Sequence, residues 1–149
     1  MAEIARYTRY RSTPDIPPST AFPREHILYY PLLDLKLRKD KSTTPTLKVL
    51  IDSGAAYCIF GSDTATLLHI DIHSGKLKQD IHGLGGGSVD LYFFDIELVL
   101  KSMTIRCYAG FMDQEFPGNG VWIGLLGEYD FLSKTPVALD CEKLQIRIG

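Results

Sequence analysis

The chain has 149 residues, the length of one domain. Hydrophobic residues make up 45% and charged residues 23%, which excludes an intrinsically disordered chain. Sixteen Lys and Arg against eighteen Asp and Glu give a net charge of −2, which argues against nucleic acid as the main partner because phosphate binding needs a basic surface.

Four of the eight prolines, Pro14, Pro17, Pro18 and Pro23, fall early in a stretch with no hydrophobic period. Residues 1–24 therefore read as a flexible, Pro-rich N-terminal arm, and residues 25–149 as the folded domain. Within the arm, Arg6-Tyr7-Thr8-Arg9-Tyr10-Arg11 interleaves basic and aromatic residues. That pattern suits a single-stranded nucleic acid, but a solvated tail is the weightier reading. No apolar run approaches the ~20 residues needed to cross a bilayer, and Met1-Ala2-Glu3 leads into no apolar leader segment. Cys58, Cys107 and Cys141 are odd in number and form no CxxC pair. Buried free thiols in a reducing compartment, the cytoplasm, are expected.

From His26 onward the signal is β. Leu33, Leu35 and Leu37 alternate with Asp34, Lys36 and Arg38. The same period of two runs through Leu47, Val49 and Ile51, through Ile96, Leu98 and Leu100, and through Leu144, Ile146 and Ile148. Strands with one face packed inward follow from this pattern. Two short helices are predicted, one opening at Ser62 as N-cap and one near Glu128–Lys134. The class is mainly β, a closed or folded-over sheet.

The chemistry concentrates at Val49-Leu50-Ile51-Asp52-Ser53-Gly54-Ala55-Ala56. An apolar strand delivers Asp52 to a tight loop, and Gly54 leaves main-chain N–H groups free to bond a carboxylate. Alone, Asp-Ser-Gly is also common turn chemistry. Downstream stand the glycine cluster His82-Gly83-Leu84-Gly85-Gly86-Gly87-Ser88 and a second apolar strand, Val121-Trp122-Ile123-Gly124-Leu125-Leu126-Gly127. The glycine cluster is no phosphate cradle, since a strand-like Val89–Phe94 follows it and no Lys precedes the Ser. A mobile hairpin tip suits it better, with an ordinary flexible hairpin as the alternative.

In these residues the sequence resembles the retropepsin-like, single-domain aspartic proteases of retroviral type. Asp52-Ser53-Gly54-Ala55 after Leu50-Ile51, the tip Gly83–Gly87, and Leu125-Leu126-Gly127 before Phe131-Leu132 carry the resemblance, over about Leu47 to Ile148. It implies a small closed β-barrel of the acid protease type and an endopeptidase acting on extended peptides. Asp52 is the implied catalytic residue, with Ser53, Gly54 and Ala55 supporting it. Gly83, Leu84, Gly85, Gly86 and Gly87 are the implied flap. One Asp-Ser-Gly triplet is present, so the implied site needs Asp52 from each of two chains in a homodimer. No cofactor or metal, no nucleic acid and no membrane is implied; the partners are a second copy and a peptide or protein substrate.

Retroviral members carry an acidic residue after the Asp loop and an Arg after the late glycine, which pair. Here those places hold Ala56-Tyr57-Cys58 and Glu128. An inactive or weakly active dimerisation or peptide-binding module of the same fold is therefore the alternative. Apolar pockets are expected from Ile81, Leu84 and Val121, and pairing between subunits from Leu144–Ile148. His69, Asp71 and His73 sit at alternate positions, which suits either a metal corner or a polar connection, the second weighing more.

Overall fold

The structure, a computed structural model, describes residues 3–11, 19–24, 27–83, 87–118 and 120–149. Among these residues the strands are, in chain order, β1 (Glu3–Arg6), β2 (Thr8–Arg11), β3 (Ile27–Tyr30), β4 (Leu32–Lys39), β5 (Ser42–Thr43), β6 (Leu47–Ile51) and β7 (Ile59–Phe60). The helix α1 (Ser62–Leu67) follows, then β8 (Lys76–His82), β9 (Ser88–Val99), β10 (Thr104–Met112), β11 (Gly124–Leu126), β12 (Val137–Asp140) and β13 (Gln145–Ile148).

The alternating patterns become one-sided strands. On β4, Leu33, Leu35 and Leu37 are buried while Asp34 and Lys36 are exposed; on β6, Leu47, Val49 and Ile51 are buried while Lys48 is exposed. Each such leucine stabilises the fold by about 2 kcal/mol through removal of apolar surface from water. The main sheet runs β5-β4-β6-β11-β7-β10-β9-β8, and β4 also pairs with β9. That extra ladder closes β4, β6, β11, β7, β10 and β9 into a barrel, as expected of the class. At the seam Lys36, Leu37 and Arg38 face Val99, Leu98 and Glu97. Leu37 and Leu98 are fully buried there. On the outside, Arg38 Nε and Nη2 donate to the two Glu97 carboxylate oxygens at 3.0 and 3.2 Å.

A second sheet has the order β1-β13-β12, and β2 with β3 forms a two-stranded ribbon. Residues 3–6 of the N-terminal arm are thus paired with β13, and Tyr7 beside them is buried, its N–H donating to Leu144 O at 2.9 Å. Strand β13 lies between β1 and β12, so both its edges are occupied within the chain. The expected pairing of this strand with a second copy finds no open edge here.

Both helix expectations need adjustment. The N-cap of α1 is Gly61, not Ser62, and no side chain caps the helix. A Cβ at Gly61 would strike Phe116 N and lie 2.9 Å from Gln114 O, so the close approach of the 114–116 segment selects glycine. Glu128–Leu132 is a short, wide helical turn, interrupted by Tyr129 at ψ 125° and Asp130 at φ 66°. No helix among the described residues is long and apolar enough to cross a membrane.

Candidate active site

Strand β11 inserts between β6 and β7, parallel to the first and antiparallel to the second. Strands β6 and β7 therefore do not meet, and residues 52–58 must loop over the end of β11. Asp52 opens that loop at the carboxyl end of β6. The loop is fastened to the segment after β11 by main-chain bonds. Asp52 N–H donates to Leu126 O at 3.0 Å, Glu128 N–H to Ala55 O at 2.9 Å, and Tyr129 N–H to Ala56 O at 2.9 Å.

Inside the loop, Gly54 N–H donates to Asp52 Oδ1 at 2.9 Å, and Ala55 N–H to Asp52 O at 3.1 Å. Asp52 is half-buried and Ser53 is exposed. One carboxylate oxygen is thus held by a main-chain donor. Gly127 is needed for a different reason. Its φ of −106° suits any residue, but a Cβ there would strike Tyr57 O and lie 2.7 Å from Ala55 O.

A cavity of about 470 Å³ opens on Asp52. The loop contributes Asp52, Gly54, Ala55, Ala56 and Tyr57, and the β8–β9 hairpin contributes Ile81, His82 and Gly83. Ile59 and Leu125 complete the lining, which joins one carboxylate to mostly apolar walls. Ser53, Gly87 and Val121 do not line it. The hairpin is paired to its base, Ile81 with Val89 and His82 with Ser88, and Gly83 N–H donates to Gly87 O at 3.2 Å. Leu84, Gly85 and Gly86 lie outside the described residues. The ladder shifts between Lys78 and Ile81, where Asp80 takes φ 57° and its N–H donates to Asp90 Oδ1 at 3.2 Å. Sequence reasoning missed Tyr57, Ile59 and His82 as lining residues. Tyr57 and Ile59 reach the cavity through the loop from β6 to β7 and His82 through the β8–β9 hairpin, an arrangement no local pattern encodes.

Asp130 fastens the turn after β11. Its Oδ2 accepts from Tyr108 N–H of β10 at 2.8 Å, and its Oδ1 lies 3.0 Å from Lys134 Nζ. This carboxylate pins the 128–132 turn to the barrel, which explains why the turn departs from helical geometry. His69, Asp71 and His73 do not converge. Asp71 Oδ1 accepts from His73 N–H at 3.2 Å, and His73 Nε2 meets Asp113 Oδ2 at 3.0 Å. Among the described residues no group of three or more His, Cys, Asp or Glu is placed to hold a metal ion. Cys58 and Cys107 are buried as expected, but Cys141 is exposed, in the turn between β12 and β13.

The closed barrel, the inserted β11 and the Asp loop beside it define a retropepsin-like fold. A retropepsin-like aspartic protease from Rickettsia conorii superposes with a TM-score of 0.56 at 13% identity, over 99% of this chain and 92% of that one. The EIAV protease in complex with an inhibitor matches at a TM-score of 0.46 and 20% identity, over 66% of this chain and 81% of that one. The retroviral protease-like domain of Ddi1 from Leishmania major matches at 0.49 and 16%, over 74% and 82%. No family model and no curated protein matches the sequence.

Proposed function

We propose that the protein is an aspartic endopeptidase that acts as a homodimer, with Asp52 of each copy forming a catalytic pair. The observation that carries this is Asp52 itself: a carboxylate at a strand end, held by Gly54 N–H, opening onto a mostly apolar cavity bounded by a hairpin. A single carboxylate in that setting binds but does not hydrolyse. Two carboxylates held close cannot both ionise cheaply, so one keeps its proton. The ionised member takes a proton from a water between them, and the protonated member donates to the scissile carbonyl oxygen. The water attacks the peptide carbon directly, without a covalent intermediate. The pair titrates as a unit.

Substrate lies extended between the paired aspartates and the β8–β9 hairpins, which act as flaps, adding main-chain hydrogen bonds like an extra strand. Ser53 and Ala55 support the Asp52 loops at the two-fold axis. Gly83, Leu84, Gly85, Gly86 and Gly87 are the flap and substrate-binding residues of this reading. Free thiols suit a reducing compartment, and we place the protein in the cytoplasm.

The test is cleavage of a peptide library by the wild type and by Asp52→Asn between pH 4 and pH 7, with light scattering of both. Cleavage by the wild type alone, with an equal dimer in both, is expected. Equal cleavage by both would overturn the mechanism. A dimer that binds peptides and cleaves none would make the protein a binding module, the reading that Glu128 favours by standing where retroviral members carry Arg.

A further inference from the structure

We propose that Cys58 and Cys107 are an oxidisable thiol pair whose closure to a disulfide detaches the Asp52 loop from the turn that holds it. Cys58 ends the loop and leads into β7, and Cys107 lies on β10. In the parallel β7–β10 ladder Ile59 faces Gly110, and Gly110 N–H donates to Cys58 O at 2.9 Å. One step back, Ala109 flanks Cys58. Cys107 is the next residue on the same face of β10, because side chains alternate along a strand.

Both thiols are buried, at 0% and 2% exposure. Cys58 Sγ donates to Tyr129 O at 3.8 Å. Tyr129 is the residue whose N–H holds Ala56 O, so the Cys58 thiol ends on a fastening of the active loop. The neighbouring Cys107 thiol lowers the pKa of Cys58, and Cys58, followed by burial, raises that of Cys107. Cys58 is the nucleophilic member.

A hydroperoxide supplies the oxidant. Cys58 sulfur attacks the outer peroxide oxygen and becomes a sulfenic acid, and the O–O bond breaks to release an alcohol, or water from hydrogen peroxide. Cys107 sulfur then displaces the sulfenic hydroxyl, the S–S bond forms and water leaves. Two electrons pass from the sulfurs to the peroxide, and both thiol hydrogens end in the released products. Tyr129 O is left without its thiol donor. The short S–S bond draws Cys58 toward β10, and residues 52–58 move with it. Access requires opening of the 128–132 turn, which Asp130 pins to Tyr108 N–H, so oxidation is gated by that turn.

The test uses the Cys141→Ser chain, which lacks the exposed thiol. It is treated with hydrogen peroxide, alkylated, digested and mapped by mass spectrometry. A Cys58–Cys107 cross-link that dithiothreitol reverses is expected, absent from the chain that also carries Cys107→Ala. Amide exchange in residues 52–58 and 128–132 should accelerate in the cross-linked form. The loss of peptide cleavage, regained on reduction, is the one expectation that rests on the proposed function. A chain that cleaves no peptide yet cross-links and loosens would overturn that function and uphold the thiol pair. Absence of the cross-link, or a cross-link with unchanged exchange in both segments, would overturn the pair.

Discussion

Gly127 sits with its Cα against the carbonyl oxygens of Tyr57 and Ala55, so the second apolar strand and the Asp52 loop touch through backbone alone. A methyl group there has no rotamer with which to evade two carbonyls. Gly127→Ala is expected to destabilise the fold by about 1–3 kcal/mol, the usual cost of overpacking. Urea denaturation measures this. Its effect on cleavage should exceed its effect on stability, because the displaced atoms belong to the loop that carries Asp52. The residues legible in the sequence at this scale are the local ones. Asp52, Gly54 and Gly127 each stand at the end of an apolar run, where a strand must stop and the chain must turn. Tyr57, Ile59 and His82 were not legible because the cavity joins the Asp52 loop to the β8–β9 hairpin from a distant part of the chain. The contact of Asp130 was hidden for the same reason, since its partner, the Tyr108 N–H, is on another strand.

Strands β4 and β9 meet at the seam that closes the barrel, with Leu37 and Leu98 inside and Arg38 and Glu97 outside. The Arg38 hydrogen bond holds the Glu97 carboxyl below its ordinary value of 4.5. A depressed carboxylate contributes stability above its unfolded pKa and loses it as pH falls through the folded value. Glu97→Gln should therefore flatten the loss of stability below about pH 4.5 and change little near neutrality, because the pair is exposed and screened. Thermal denaturation across pH 2.5 to 7 checks this, and identical acid limbs in the two proteins would contradict it. Among whole elements, the period-two strands β4, β6, β9 and β13 were legible because each has one face in the core. The start of α1 was not, because what selects Gly61 is contact with residues 114–116 and not capping by a neighbour. Strand β1 was hidden too. Glu3-Ile4-Ala5-Arg6 is a short, half-polar run that gains its ladder from residues 145–148.

The barrel class follows from pattern, but the assembly does not, because a pair of identical aspartates leaves one mark in one sequence. The proposed homodimer makes a quantitative expectation. If both Asp52 residues are needed, a subunit carrying Asp52→Asn poisons the wild-type subunit it pairs with. Equal amounts of the two chains, unfolded and refolded together, should leave about a quarter of the pairs fully wild type. Activity per total chain should fall to about that share, below the half expected of independent monomers. Cleavage assays over a range of mixing ratios distinguish the two curves.

The pairing of β1 with β13 sets an order of events during synthesis. Glu3 is made long before its ladder partner Ile148. Until residues 145–148 emerge, the β1 strand is an unsatisfied edge, and the sheet that buries Ile146 and Ile148 cannot form. Contacts so distant in sequence form slowly. The nascent chain is therefore exposed to misassembly until β13 is made, and the arrival of that strand is the step that ends this exposure.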